Sequence, residues 1–216
     1  EKNERFFYFV RSPEDIDKST FNKKVGIAYG MENGGPLEGK LERLQYFADK
    51  GISYITLTHS KSNHISDSSY DETRQWYGLS PFGVEVVKEM NRLGMMIDIS
   101  HVSDEAFFQV LELSSAPTVA THSSLRHFVP DFERNVSDEM MIALAKNGGV
   151  LQLNFGDYFI RDVRNNPDLK VTIADVVDHV DRVVDLVGID HIGIGSDYDG
   201  IPRLPVGLED VSTYPQ

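Results

Sequence analysis

Short apolar runs and longer amphipathic stretches alternate along this chain. Runs rich in β-branched and aromatic residues at 25–29, 54–58, 95–99, 118–121, 150–155 and 192–195 predict six strands. Between them, Leu37, Leu41, Leu44 and Phe47 recur at helical spacing before Gly51, and Val176, Val180, Val183 and Val187 do so before Gly188. Helix ends are marked chemically as well. Ser80-Pro81 predicts an N-cap with proline in the first turn of a helix that Gly94 ends, and Ser103 precedes an acidic first turn, Asp104-Glu105. Ser137 opens a further helix closed at Gly148-Gly149, and Thr172 with Asp175 has the spacing of a capping box. The stretch from His59 to Ser80 is polar and aperiodic, which predicts a long loop over one end of the fold.

Alternation of strand and helix predicts an α/β fold with a parallel sheet. No glycine-rich phosphate loop follows the first strand, so a (β/α)8 TIM-type barrel is favoured over a doubly wound open sheet. A complete barrel has eight strands in roughly 250 residues. The 216 residues here therefore predict an incomplete barrel of about six βα units, with the N-terminal strands missing. Residues 1–216 are read as one domain, with 1–24 as a lead-in segment. Such a barrel exposes two strand edges, and self-association is the expected result.

Charge narrows the partners. With 21 Lys+Arg against 34 Asp+Glu the net charge is -13, and no local basic cluster offsets it, which argues against nucleic acid. Cysteine is absent, so histidines and carboxylates are the strong metal ligands available. The opening residues EKNERFFYFV form neither a signal-peptide core nor a membrane span.

In a βα barrel the loops after the strands build the active site. The predicted strands end at or near Glu32, His59, His101, His122, Asn154 and Asp197. Three of the seven histidines fall directly after the runs YITLT, MIDIS and VAT. Any one of these residues is explained as a cap or a satisfied polar group. Converging imidazoles and carboxylates need a common partner, because each unsatisfied buried group costs ~1–3 kcal/mol. A divalent cation serves all of them, and this donor set suits zinc, with manganese or cobalt as alternatives. His64 and His127 are read as loop residues with surface or supporting roles. His179 is expected on the polar or boundary face of its helix, and His191 at the opposite end of the barrel with no catalytic part. Asp98 either orients His101 or pairs structurally.

The segments GIAYGMENGG, YITLTHS, YGLSPFGVEVVKEMNRLGMMIDISHVSDEAF, APTVATHSS, RNVSDEMM, GVLQLNF and GIDHIGIGSDYDGIPRLPVGLEDVSTYP resemble, in order, the zinc dipeptidases of the renal or membrane dipeptidase type. The resemblance implies an amidohydrolase-like barrel that cleaves small dipeptides with Zn2+. It makes Glu32 the carboxylate bridging two ions and His101 and His122 ligands of the second. It places His59 against the scissile carbonyl and its oxyanion, Arg134, Asn154 and Tyr158 against the substrate, and Asp197 in proton relay. It also implies an extracytoplasmic or membrane-associated location, while membrane attachment and a homodimer stay open.

Two departures stand out. The His-x-Asp pair that completes the first metal site in the family does not precede Glu32, so one ion or none would be retained. The family has a glycine directly after the bridging glutamate, whereas the chain reads Glu32-Asn33-Gly34-Gly35, one residue longer. Competing expectations are another amidohydrolase, such as a deacetylase or lactonase, and a metal-site-deficient dipeptidase-like binding protein.

Overall fold

The structure, a computed structural model, describes residues 5–16 and 23–215; the rest of the lead-in segment lies outside the described residues. Six parallel strands form one sheet whose spatial order is its chain order: β3 (Tyr29–Glu32), β4 (Ile52–Thr56), β5 (Met96–Asp98), β6 (Val119–Ser123), β7 (Val150–Leu153) and β8 (Ile192–Ile194). The crossovers carry α1 (Glu42–Asp49), α2 (Pro81–Leu93), α3 (Asp104–Leu113), α4 (Asp138–Lys146), the short α5 (Asp157–Ile160) and α6 (Ile173–Val187). Consecutive parallel pairing through helical crossovers is the partial barrel that the alternation predicts.

The expected strand at 25–29 divides. β2 (Val25–Ile27) pairs in parallel with β1 (Phe7–Phe9), and after Ala28 the chain resumes as β3 and pairs with β4. A single run of chain thus serves two sheets. The expected helix through Leu37 also splits: Leu37 ends a 3-10 turn, Gly35–Leu37, and the α-helix starts at Glu42.

Caps fall where the sequence places them. Ser80, Ser103 and Ser137 each accept a hydrogen bond from the backbone N–H three residues on, and Gly94 ends α2 at φ 70°. The Asp175 carboxylate accepts both the backbone N–H and the hydroxyl of Thr172, at 2.8 and 2.9 Å, which fixes the entry to α6. The main core lies between helices and sheet, with Leu44, Ile55, Val87, Met90, Phe107, Met141, Leu144 and Leu151 essentially inaccessible. Full burial of such side chains contributes ~1.5–3 kcal/mol each.

His179 departs from its expected face. It is fully buried, its Nδ1 accepts from the Leu125 N–H at 3.1 Å, and its Nε2 donates to the Ile160 carbonyl at 2.9 Å. An imidazole with both nitrogens satisfied by backbone enters a core at little cost. His191 precedes β8 and bonds the Gly149 carbonyl at 2.9 Å, at the strand end away from the site. Among the described residues no helix is long and apolar enough to cross a membrane.

Candidate metal and active site

Register brings the site residues level. Glu32 pairs with Thr56, and Thr56 with Asp98, so the ends of β3, β4 and β5 stand side by side. Glu32 is the last residue of β3, His59 and His101 follow β4 and β5 by three residues, and His122 lies within β6. Asn154 directly follows β7, and Asp197 lies three residues past β8. His101 and Asp197 adopt left-handed backbone at φ 68° and 63°. Outside glycine this conformation costs ~1–3 kcal/mol and concentrates at functional sites. Gly200 makes room for one of them, because a Cβ there would lie 2.3 Å from Asp197 Oδ1.

The centre is a triangle of donors. His101 Nε2 and His122 Nε2 are 2.8 Å apart, and each is 3.1 Å from Glu32 Oε1. Ligands around a tetrahedral zinc at ~2.0–2.1 Å sit about 3.3 Å from one another, so the triangle is only slightly tighter than a loaded site. A second, looser set contains Glu32, His59 and His101, with ligand atoms within 4.8 Å; His59 Nε2 is 3.5 Å from Glu32. The tighter triangle is the better cation cradle, and His59 stands at its rim.

Electrostatics prepare these donors. The hydrogen bond from His101 is the largest influence holding the Glu32 carboxyl well below the usual carboxylate range. Burial, reinforced by the Arg134 charge, lowers His101 to about 3, so its imidazole is neutral at physiological pH. His101 Nδ1 is buried with no hydrogen-bond partner among the described residues. Two imidazoles and an ionised carboxylate form a donor set that fits a divalent cation.

Asp98 acts on the neighbouring histidine. Its Oδ2 accepts from the hydroxyls of Thr56 and Thr121 at 2.5 and 2.6 Å, and its Oδ1 from the N–H groups of Ser100 and Thr121 at 2.9 and 3.0 Å. Thr121 Oγ1 lies 2.7 Å from His122 Nδ1. The carboxylate therefore reaches His122 through Thr121, and no bond joins it to His101.

Around the triangle a cavity of about 330 Å³ is lined by Glu32, His59, Ser60, Tyr70, His101, Arg134, Tyr158, Phe159, Asp197 and Gly200. Arg134 is buried; it donates to Ser123 Oγ at 2.6 Å and to the His122 carbonyl at 2.7 Å, and stacks over Phe159. Its Nε lacks a partner, and no carboxylate hydrogen-bonds the guanidinium among the described residues. Burial keeps Tyr70 protonated and raises Tyr158 to about 12. Asn154, expected to meet substrate, is fully buried behind Asp197, and its amide donates to Asp197 Oδ2 at 2.9 Å.

Tyr70 escaped the sequence reading. It comes from the aperiodic loop after His59, and its ring packs against His101 and Phe132. An aromatic residue in an otherwise polar loop over the site was the available signal. The loop is tied down by Asp67, which accepts N–H groups of Gln75, Trp76 and Gly78, and by Arg74, which bonds Glu133 and the Ser68 carbonyl.

A donor triangle at the C-terminal end of a parallel βα sheet defines a barrel with a metal-type site. The chain belongs to the membrane dipeptidase family, peptidase family M19, whose model matches residues 1–216. It is 41% identical over 196 residues to an uncharacterised dipeptidase of Schizosaccharomyces pombe, covering 90% of this chain and 46% of that protein. It is 40% identical over 202 residues to Dipeptidase tcpJ of Claviceps purpurea, covering 94% and 46%. The chain thus spans about half the length of these relatives. Among solved structures, the probable dipeptidase PvdM of Pseudomonas aeruginosa superposes with a TM-score of 0.89 at 28% identity, covering 98% of this chain and 67% of that one. A metallopeptidase of Rhodobacter sphaeroides, solved with a phosphinate mimic of the dipeptide L-Ala-D-Ala, gives 0.88 at 28% identity, covering 97% and 60%.

Proposed function

We propose that the protein is a zinc-dependent dipeptidase that hydrolyses the peptide bond of small dipeptides. The observation that carries this reading is the triangle of His101, His122 and Glu32, set in a cavity beside a buried arginine that no carboxylate pairs. Glu32, His101 and His122 would hold the ion. A bound zinc lowers the pKa of water toward neutrality and polarises a carbonyl.

The chain's own residues supply the rest. Arg134 meets the substrate carboxylate, which offsets a buried charge that otherwise lacks a counter-ion. Tyr158, protonated at neutral pH, offers a hydroxyl donor to the same end of the substrate. His59 is 45% exposed at the cavity rim, and Ser60 Oγ at 2.9 Å orients its Nδ1; its Nε2, 3.5 Å from Glu32 Oε1, is placed to donate to the oxyanion that forms at the attacked carbonyl. Asp197, fixed by Asn154, takes a proton from the attacking water and passes it to the departing amine. A cavity of about 330 Å³ suits a dipeptide better than a folded chain.

The test is metal content of the purified protein by elemental analysis, together with dipeptide hydrolysis in added zinc. Retained zinc and turnover, both lost in His101→Ala and His122→Ala, are expected. A protein that holds no zinc and hydrolyses no dipeptide overturns the proposal.

A further inference from the structure

We infer that Asp98 is a positioning residue that sets the protonation pattern of His122 through the Thr121 hydroxyl, presenting an Nε2 lone pair to the site. A threonine hydroxyl has one proton to donate. Asp98 Oδ2 lies 2.6 Å from Thr121 Oγ1 and can only accept, so that proton points to Asp98. The Thr121 oxygen is then an acceptor toward His122 Nδ1 at 2.7 Å, which places the imidazole proton on Nδ1 and leaves Nε2 bare. Glu32 Oε1 at 3.1 Å competes for a proton on that nitrogen, and His101 Nε2, 2.8 Å from His122 and 3.1 Å from Glu32, carries the proton the three atoms share. Nothing comparable fixes His101, whose Nδ1 has no partner among the described residues. His122 is the pre-set member of the pair, and His101 the adaptable one.

The surroundings make the arrangement directional. Asp98 is wholly buried, and Oδ1 faces two backbone N–H groups that can only donate. In an Asp98→Asn protein the amide oxygen must therefore take the Oδ1 position. The NH2 group then faces the hydroxyls of Thr56 and Thr121 and donates to both. Thr121 becomes an acceptor toward Asn and turns its own proton onto His122 Nδ1. The imidazole proton moves to Nε2, where it blocks the ligand position. One isosteric substitution inverts the proton order of the whole chain.

The consequence for metal affinity rests on the proposed function; the proton pattern does not. The experiment is nitrogen-15 NMR of histidine-labelled, chelator-treated protein, with His122 assigned by its absence in His122→Gln, followed by zinc titration calorimetry. Wild type and Thr121→Ser are expected to show His122 protonated at Nδ1, Asp98→Asn at Nε2, and Thr121→Val a mixture. Zinc affinity should fall about 10- to 100-fold in Asp98→Asn and Thr121→Val and persist in Thr121→Ser. If Asp98→Asn and Thr121→Val both keep the wild-type pattern, the inference is overturned. If wild type shows the Nδ1 proton but takes up no zinc, the inference is supported and the metal reading fails. Should Asp98→Asn not fold, the Thr121→Val and Thr121→Ser pair decides alone.

Discussion

Asn33 stands directly after Glu32 in left-handed backbone, at φ 95°, and its side-chain oxygen accepts from Asn63 Nδ2 at 3.0 Å and from the Gly35 N–H at 2.9 Å. Asparagine is among the non-glycine residues that best tolerate positive φ. The same side chain moors the loop after His59 to the strand that presents the site carboxylate.

Replacing Asn33 separates these two contributions. Asn33→Gly loses the side-chain bonds but relaxes the backbone, whereas Asn33→Ala loses the bonds and keeps the strain. Urea unfolding should place Asn33→Ala about 1 kcal/mol below Asn33→Gly. Equal midpoints would show that the backbone here is not strained.

The stability of the protein should depend on His179. Burial depresses its folded value to about 4, against an ordinary 6.5. As pH falls the unfolded chain takes up this proton first, so the contribution is complete above pH 6.5 and decays between 6.5 and 4. The full difference is about 3 kcal/mol. His179→Gln, which does not titrate, should be less stable than wild type at pH 7.5 but lose less on acidification to pH 4.5. Parallel losses in the two proteins would assign the acid sensitivity to other groups.

Arg74 is expected to hold the loop over the site closed. It reaches Glu133 and the carbonyls of Ser68 and Asp71, and lies 3.8 Å from Glu105. Removing these bonds in Arg74→Ala should cost ~1–2 kcal/mol locally and raise the open population about tenfold. Trypsin cleavage after the exposed Lys61, followed by mass spectrometry, should accelerate accordingly. An unchanged cleavage rate would mean that Asp67 alone suffices.

Zinc should protect the fold. At a concentration of 100 Kd a ligand that binds only the native state adds about 2.7 kcal/mol, visible as a higher melting temperature. Chelator should reverse the shift, and His122→Ala should abolish it. A shift that survives in His122→Ala would place the ion elsewhere.

Much of this was legible in the chain because parallel strands leave apolar runs, and the candidate site residues stand at or near their ends. Glu32, His101 and His122 could be aligned that way without a structure. What was hidden depends on neighbours distant in sequence. Asp98 reaches His122 because β5 and β6 pair with Asp98 opposite Val119, a register that local pattern does not encode. His179 is buried because two backbone groups, at Leu125 and Ile160, come to meet it. The break at Ala28 was invisible too, since a strand that changes partners keeps the composition of one that does not.

Because sheet order follows chain order, the donors Glu32, His59, His101 and His122 all come from neighbouring strands made one after another. Asp197 follows His122 by about 75 residues, several seconds of synthesis at ~5–20 residues per second. On the ribosome, the nascent chain can gather the face that carries Glu32, His101 and His122 while Asp197 is still untranslated.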